Sequence, residues 1–171
     1  MTAYVAMLRA INVGGRKLVM SDLKAIGEEL GLGSPRTFIA SGNLIFTSSE
    51  REEPLRKRLE HHLSEHMGAE VPVLLRTAAE MAAVAADNPF EGRFEGNRVA
   101  AIFLNEPPQQ GAIAQAKNRT DEEVASGVRE FYIAYPSGMA DSKLKIPGTE
   151  KGTARNMNSI SKMVQIAKEM E

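Results

Sequence analysis

The stretch AYVAMLRAINVGGRK, residues 3–17, decides how the first half of this chain folds. Its first part, residues 3–9, is a short apolar run typical of a strand. A basic loop containing Gly14 and Gly15 follows, and a helix pattern begins a few residues later. Because glycines let backbone N–H groups approach a ligand and a helix start adds partial positive charge, this arrangement can hold an anion.

The elements expected around this stretch alternate between strands and helices. After the first strand they are a helix capped by Ser21 or Asp22 and ending near Leu30, strands over 36–40 and 44–48, a helix from about Pro54 to Met67, and a strand over 71–76. The order strand, helix, strand, strand, helix, strand predicts a ferredoxin-like βαββαβ pattern.

Leucine spacing and one proline add detail to this first half. Leu55, Leu59, Leu63 and Met67 recur every four residues, which predicts one buried helix face. Pro72 has no backbone N–H, so we expect either that the strand near it lies at a sheet edge or that the position of the missing N–H faces solvent. The strands are apolar on both faces, which predicts that the second half of the chain or a second subunit covers the face without helices.

The second half shows a less regular pattern. Thr77 and Glu80 have the spacing of a capping box for an alanine-rich helix. The expected elements are a helix over 77–87, a strand over 98–104, a helix over 109–117, a helical turn over 120–125, a strand over 129–135, and a helix over 154–169 with Thr153 as its N-cap. We therefore predict an α+β protein with a ferredoxin-like α+β domain over 1–87 and a second, smaller α+β domain with the C-terminal helix over 88–171.

Composition excludes several classes of function. The chain has 171 residues, a net charge of -1 and no cysteine, which excludes disulfides, thiolate catalysis and cysteine metal sites. No apolar run approaches membrane-spanning length and no signal-peptide pattern is present, so the expectation is a cytoplasmic protein without membrane association. We predict no cofactor and no metal, assign no catalytic residue, and leave open whether the protein is an enzyme and whether it is a monomer or a homodimer.

Six motifs, in order along the chain, resemble those of one family. They are YVAMLRAINVGGRK, RTFIASGNLIF, VPVLLRTAAE, NPF, YPSGMADSKL and TARNMNSISKM. Together they resemble the domain-of-unknown-function family 1697 (DUF1697). The resemblance implies a two-part α+β architecture and supplies no reaction. Met157 stands where the family motif usually has Trp, so a stacking role for that ring is not carried over.

Two polar, basic segments are the predicted ligand-binding site for a small anion. The first is the glycine loop, and the second includes lysines of DSKLK and the TARN motif, with a smaller contribution from the SGN hairpin. The predicted ligand-binding residues are Arg9, Asn12, Gly14, Gly15, Arg16, Ser41, Asn43, Lys143, Arg155 and Asn156. Each has a structural alternative: positive-φ glycines and solvated bases in the loop, turn chemistry at the hairpin, and a salt bridge at Arg155.

Other motifs give weaker support for a metal-binding, catalytic or nucleic-acid-binding function. His62, Glu65 and His66 have the H-x-x-E-H order of a zinc site, but no third ligand is evident. Ser159 and Lys162 match S-x-x-K without the accompanying S-D-N element. Nucleic-acid binding is possible by fold analogy, but the net charge and the absence of an RNP1 pattern do not support it.

Two hypotheses follow for function. In the first, a phosphate- or carboxylate-bearing ligand binds in a basic cleft between the two halves, with the reaction unknown. In the second, the chain is a non-catalytic regulatory or interaction domain that pairs through its sheet.

Overall fold

The chain folds as an α+β protein, which confirms the predicted class. The structure is a computed structural model that describes residues 1–9, 18–38 and 42–171. In this part of the chain there are two antiparallel four-stranded sheets and four α-helices. The chain divides into two compact units, Met1–Met81 with Met163–Glu171, and Ala82–Lys162. The division into domains 1–87 and 88–171 stays a prediction.

The first unit contains one sheet and the helices between its strands. Its elements are β1 (Thr2–Leu8), α1 (Met20–Glu29), β2 (Gly33–Thr37), β3 (Asn43–Ser48), α2 (Glu52–Met67) and β4 (Val73–Thr77). The strands lie in the order β2-β3-β1-β4, and each adjacent pair is antiparallel. The narrower ferredoxin-like assignment stays a prediction.

Helix α2 forms as its leucine spacing predicts. Leu55, Leu59 and Leu63 are fully buried and pack in one cluster with β1 residues such as Tyr4. Gly68 ends the helix at a φ of 69°, and its N–H donates to the Ser64 carbonyl at 2.8 Å. A left-handed residue is disfavoured for side chains with a Cβ, so glycine suits this position.

Two local predictions in this unit were wrong. The N-cap of α1 is Val19, in extended backbone, so Ser21 and Asp22 lie in the first turn and do not cap it. Strand β2 begins at Gly33, three residues before the predicted start, because its pairing with β3 sets its position. The edge position predicted from Pro72 is confirmed, since β4 lies at the end of the sheet.

Both faces of the central strand β1 are buried. Tyr4, Ala6 and Leu8 belong to the cluster with the helices, while Val5 and Met7 on the opposite face are also fully buried. This burial occurs within a single chain. A second subunit is therefore not needed to cover the apolar strand faces.

The second unit contains the other sheet. Its strands are β5 (Val99–Phe103), β6 (Glu123–Ser126), β7 (Glu130–Ala134) and β8 (Thr153–Asn156), in the order β6-β7-β5-β8. A short 3-10 helix, Gly96–Arg98, precedes β5. Helix α3 (Ala78–Ala86) lies before these strands in the chain, and α4 (Met157–Glu169) follows them.

The capping box predicted for α3 is confirmed. The Thr77 N–H donates to the Glu80 carboxylate at 2.8 Å, and the Glu80 N–H donates to the Thr77 hydroxyl at 3.1 Å. Two otherwise unpaired N–H groups at the helix start are satisfied reciprocally.

Three predictions in the second half were wrong. Residues 109–117 form turns and a bridge instead of a helix, with Gly111 at a φ of 80°, and β6 replaces the helical turn expected over 120–125. Thr153 is not an N-cap, because β8 pairs with β5 up to Asn156. Helix α4 begins after Asn156, whose side-chain oxygen accepts the Ser159 N–H at 2.8 Å.

Candidate anion-binding site

A bridge between two lysines brings separate basic segments together in the second unit. Lys117 and Lys145 pair as an isolated antiparallel bridge. The Lys117 N–H donates to the Lys145 carbonyl at 2.8 Å, and the Lys145 N–H donates to the Lys117 carbonyl at 2.9 Å. Residues opposite each other in such a pair have Cα atoms about 5.5 Å apart and side chains on the same side. Like charges at this position repel, and an anion would relieve the repulsion.

Arg119 and Lys143 lie close to this bridge in the chain. Both side chains are exposed, as are those of Lys117 and Lys145. We call these four residues, Lys117, Arg119, Lys143 and Lys145, the basic cluster. Over residues 1–9, 18–38 and 42–171, none of the four forms a salt bridge with a carboxylate.

Acidic residues beside the basic cluster have other partners. The Ser142 hydroxyl donates to the Glu122 carboxylate, which also accepts the Thr120 N–H at 2.7 Å. The Ser137 hydroxyl donates to Asp121, and Glu123 forms a two-bond ion pair with Arg93. These bonds hold the segments around the basic cluster together.

Glu122 stays ionised throughout the physiological range. The hydrogen bond from Ser142, followed by those from backbone N–H groups, lowers the pKa of Glu122 to about 2. The side chain is 4% exposed. It therefore acts as a fixed anion that positions the loop, while the exposed Asp141 is a further acid on the same segment as Lys143.

Arg155 occupies a different environment from the one its sequence position predicts. It lies in β8, not in the first turn of the helix that was predicted over 154–169. Its side chain is 6% exposed, and burial lowers its pKa to about 10, which leaves it charged at pH 7. The guanidinium donates to the Thr153 hydroxyl at 2.8 Å and the Ala154 carbonyl at 2.9 Å. Its role in ligand binding stays a prediction.

The hairpin candidate Asn43 is fully buried at the start of β3. Its side-chain amide donates to the Phe38 carbonyl at 2.9 Å, and the Phe38 N–H donates to the Asn43 carbonyl at 3.1 Å. This bonding matches the turn-chemistry alternative for this residue.

The glycine loop lies largely outside the described residues. Arg9 is described; it is half-buried at the end of β1, and its backbone N–H donates to the Pro72 carbonyl at 3.0 Å. The remaining predicted residues outside the described ranges are Asn12, Gly14, Gly15, Arg16 and Ser41.

The H-x-x-E-H histidines have partners on α1. His62 lies 2.9 Å from Glu29, and His66 lies 4.0 Å from Asp22. In the part of the chain that the structure describes, no group of three His, Cys, Asp or Glu residues is arranged to hold a metal. The two histidines therefore link the helices of the first unit.

A polar cavity at the start of α4 was not predicted. It has a volume of about 520 Å³ and includes parts of the NPF and TARNMNSISKM motifs. Its lining includes Asn88, Glu91, Phe94, Glu95, Met157 and Asn158. Two carboxylates in its lining make it less suited to an anion than the basic cluster.

Of the basic cluster, Lys143 is among the residues predicted from the sequence, whereas Lys117 and Arg119 were not predicted. Lys117 is the last residue of the segment that was predicted as a helix, and Arg119 follows that segment. A helix there gave no reason to expect either residue beside another strand. The available signal was the density of cations in KNR, residues 117–119.

Among the described helices, none is long and apolar enough to cross a membrane.

Comparisons with known proteins agree with the fold and supply no activity. A family model described as "Protein of unknown function (DUF1697)" matches residues 1–132. The chain is also similar to the structure of the conserved bacterial protein SP0830 from Streptococcus pneumoniae, with 26% identity and a TM-score of 0.79. That match covers 98% of this chain and 99% of the other. No curated protein matches the chain.

Proposed function

The chain belongs to the DUF1697 family, and we propose that it binds a phosphate- or carboxylate-bearing small molecule through the basic cluster. The observation that carries this proposal is the Lys117–Lys145 bridge, which holds two exposed ammonium-bearing residues opposite each other. An anion between them offsets their mutual repulsion, and neighbouring cations strengthen its binding.

The charge of the cluster favours this ligand class over a neutral one. Glu122, Asp121 and Glu123 have hydrogen-bonding partners other than the lysines. No carboxylate of the described residues forms an ion pair with the lysine ammonium groups, so within that part of the chain they are available to a ligand oxygen. Because the site is exposed, binding should weaken as salt increases.

The proposal is tested by titrating the full chain with inorganic phosphate and, separately, with citrate. NMR chemical shifts are recorded at each ligand concentration. We expect shift changes at Lys117, Lys143 and Lys145, and Lys145→Gln should weaken binding about two- to fivefold, the range of an exposed ion pair. Lys24→Gln removes an exposed lysine of α1 and serves as the matched control. Equal binding by both variants, or shifts spread evenly over surface lysines, contradicts the proposal.

We also propose a larger binding site that extends beyond the basic cluster. Half of this site is the glycine loop, which lines a basic cleft between the halves of the chain with Arg9, Asn12, Gly14, Gly15 and Arg16. Arg155, Asn156, Asn43 and Ser41 would complete it. Arg9→Ala should then remove the phosphate-induced shifts and leave thermal stability nearly unchanged. Arg155→Ala should also remove the shifts, but it should cost stability, because Arg155 is buried and hydrogen-bonded. A large loss of stability without a ligand effect would assign these residues a structural role.

A further inference from the structure

Strand β6 has an outer edge that no other described strand pairs with. It is the first strand in the order β6-β7-β5-β8. On its inner side it pairs with β7, and the Gly127 N–H continues this ladder by donating to the Glu130 carbonyl at 2.7 Å. Backbone groups of an antiparallel strand alternate between its two edges. Since Gly127 and Ala125 face β7, the N–H and C=O groups of Val124 and Ser126 face outward.

An apolar groove adjoins the end of this edge. Its volume is about 470 Å³, and most of its surface is contributed by apolar atoms. Residues that line it include Pro107, Pro108, Ile113, Ala114, Ser126 and Val128. Ser126 belongs to both features, so the groove and the outward main-chain groups form one continuous surface.

The turn after β6 holds an apolar side chain in solvent beside the groove. Val128 is 77% exposed. The buried Glu130 carboxylate accepts the Val128 N–H at 2.8 Å and the Arg129 N–H at 3.1 Å. Gly127 approaches Glu130 so closely that a Cβ would lie 2.2 Å from the carboxylate oxygen. These hydrogen bonds fix the conformation of the turn. Val128 is therefore ordered before a ligand binds, so little conformational entropy of the turn is lost on binding.

We propose that the β6 edge and its groove bind an extended peptide of a partner protein, which adds as a strand and places one aliphatic or aromatic side chain in the groove. In this recognition mode, main-chain hydrogen bonds supply affinity and side-chain pockets supply specificity. A short peptide fits better than a second copy of the chain. An edge with two outward-facing residues and one groove is small beside the roughly 1,200–2,000 Å² buried in stable protein interfaces.

The experiment uses the full chain and a panel of synthetic, end-blocked hexapeptides. Each peptide alternates threonine with valine, isoleucine, leucine or phenylalanine, and binding is followed by NMR titration. We expect shift changes at Val124, Ser126, Val128 and Ile113. An analogue of the best peptide with methylated backbone nitrogens should lose binding, because it cannot donate main-chain hydrogen bonds.

Two variants separate strand addition from general stickiness. Ser126→Pro removes an outward N–H that β7 does not use, and Val128→Asp places a charge beside the groove. Each should weaken binding about fivefold or more. Val19→Asp changes another exposed valine, in the first unit, and should leave binding unchanged. If Ser126→Pro disturbs the fold, as judged by its NMR spectrum, Val128→Asp and the methylated peptide still decide.

Three results would overturn the proposal. They are no binding by any peptide of the panel, equal binding by Val128→Asp and the unmodified chain, and a concentration-dependent dimer whose interface is the β6 edge. Lys145→Gln should bind the peptides normally. The peptide site and the proposed anion site can therefore fail independently.

Discussion

At the scale of single residues, the second unit is held together by a carboxylate that is charged and nearly buried. Glu122 accepts hydrogen bonds from Ser142 and Thr120 and thereby joins the loop before β6 to the YPSGMADSKL segment. Its low pKa arises because these bonds favour the ionised form more than burial disfavours it. The lysine bridge joins the same loop, through Lys117, to Lys145, the residue that follows this segment.

Glu122→Gln should lower the free energy of unfolding at pH 7 by about 1–3 kcal/mol, the effect of weakening bonds to a buried charged group. The folded-state pKa of about 2 lies below the reference value of 4.5. This contribution is therefore fully present above about pH 4.5 and is lost as the pH falls towards 2.

Urea denaturation of the unmodified chain and the variant from pH 2 to 7 measures the effect. The difference between them should shrink on acidification. Glu91→Gln, at an exposed acid, is the control and should change stability little. A difference that stays constant across this pH range would show that the charge of Glu122 does not contribute.

At the scale of elements, local hydrogen bonds explain some boundaries and strand pairing explains others. Helix α3 begins where Thr77 and Glu80 bond reciprocally, and α2 ends at a left-handed glycine. In contrast, β8 extends through Thr153–Asn156 because β5 pairs with it. Arg155 is consequently a buried strand residue rather than a cation at a helix start.

Thr77→Ala should destabilise the protein by about 1 kcal/mol, because the first turn of α3 loses its capping hydroxyl. Glu80→Gln keeps the shape of the side chain that accepts the Thr77 N–H, so we expect it to destabilise the protein less than Thr77→Ala does. Chemical denaturation of both single variants and the double variant gives their coupling energy. Strictly additive effects would contradict the reciprocal box.

At the scale of the whole molecule, the end of the chain belongs to the same compact unit as its beginning. Met163–Glu171 groups with Met1–Met81, and Met163 and Ala167 are fully buried. The Glu171 carboxylate accepts the Ala3 N–H at 3.5 Å. The last residues of α4 therefore contribute to the first unit, although they follow the second in sequence.

Removing residues 163–171 should lower the melting temperature sharply, because each fully buried large apolar side chain contributes about 1.5–3 kcal/mol. Removing only Met170 and Glu171 is the control, because it loses the Glu171–Ala3 hydrogen bond but none of the fully buried side chains. Thermal unfolding followed by circular dichroism measures both. If the long truncation melts like the control, the last residues of α4 make no such contribution.

The sequence by itself determined the α+β class, the leucine face of α2 and the capping box of α3. Each of these depends on residues within a few positions of one another, where side-chain spacing and backbone hydrogen bonds act locally.

Only the tertiary structure decided that 123–126 and 153–156 are strands, that Arg155 is buried, and that Lys117 meets Lys145. These features require hydrogen bonds between segments far apart in the chain. Such pairing overrides the local helix preference of a short segment. The residues of one segment do not indicate which distant segment it pairs with, so the pairing could not be predicted from them.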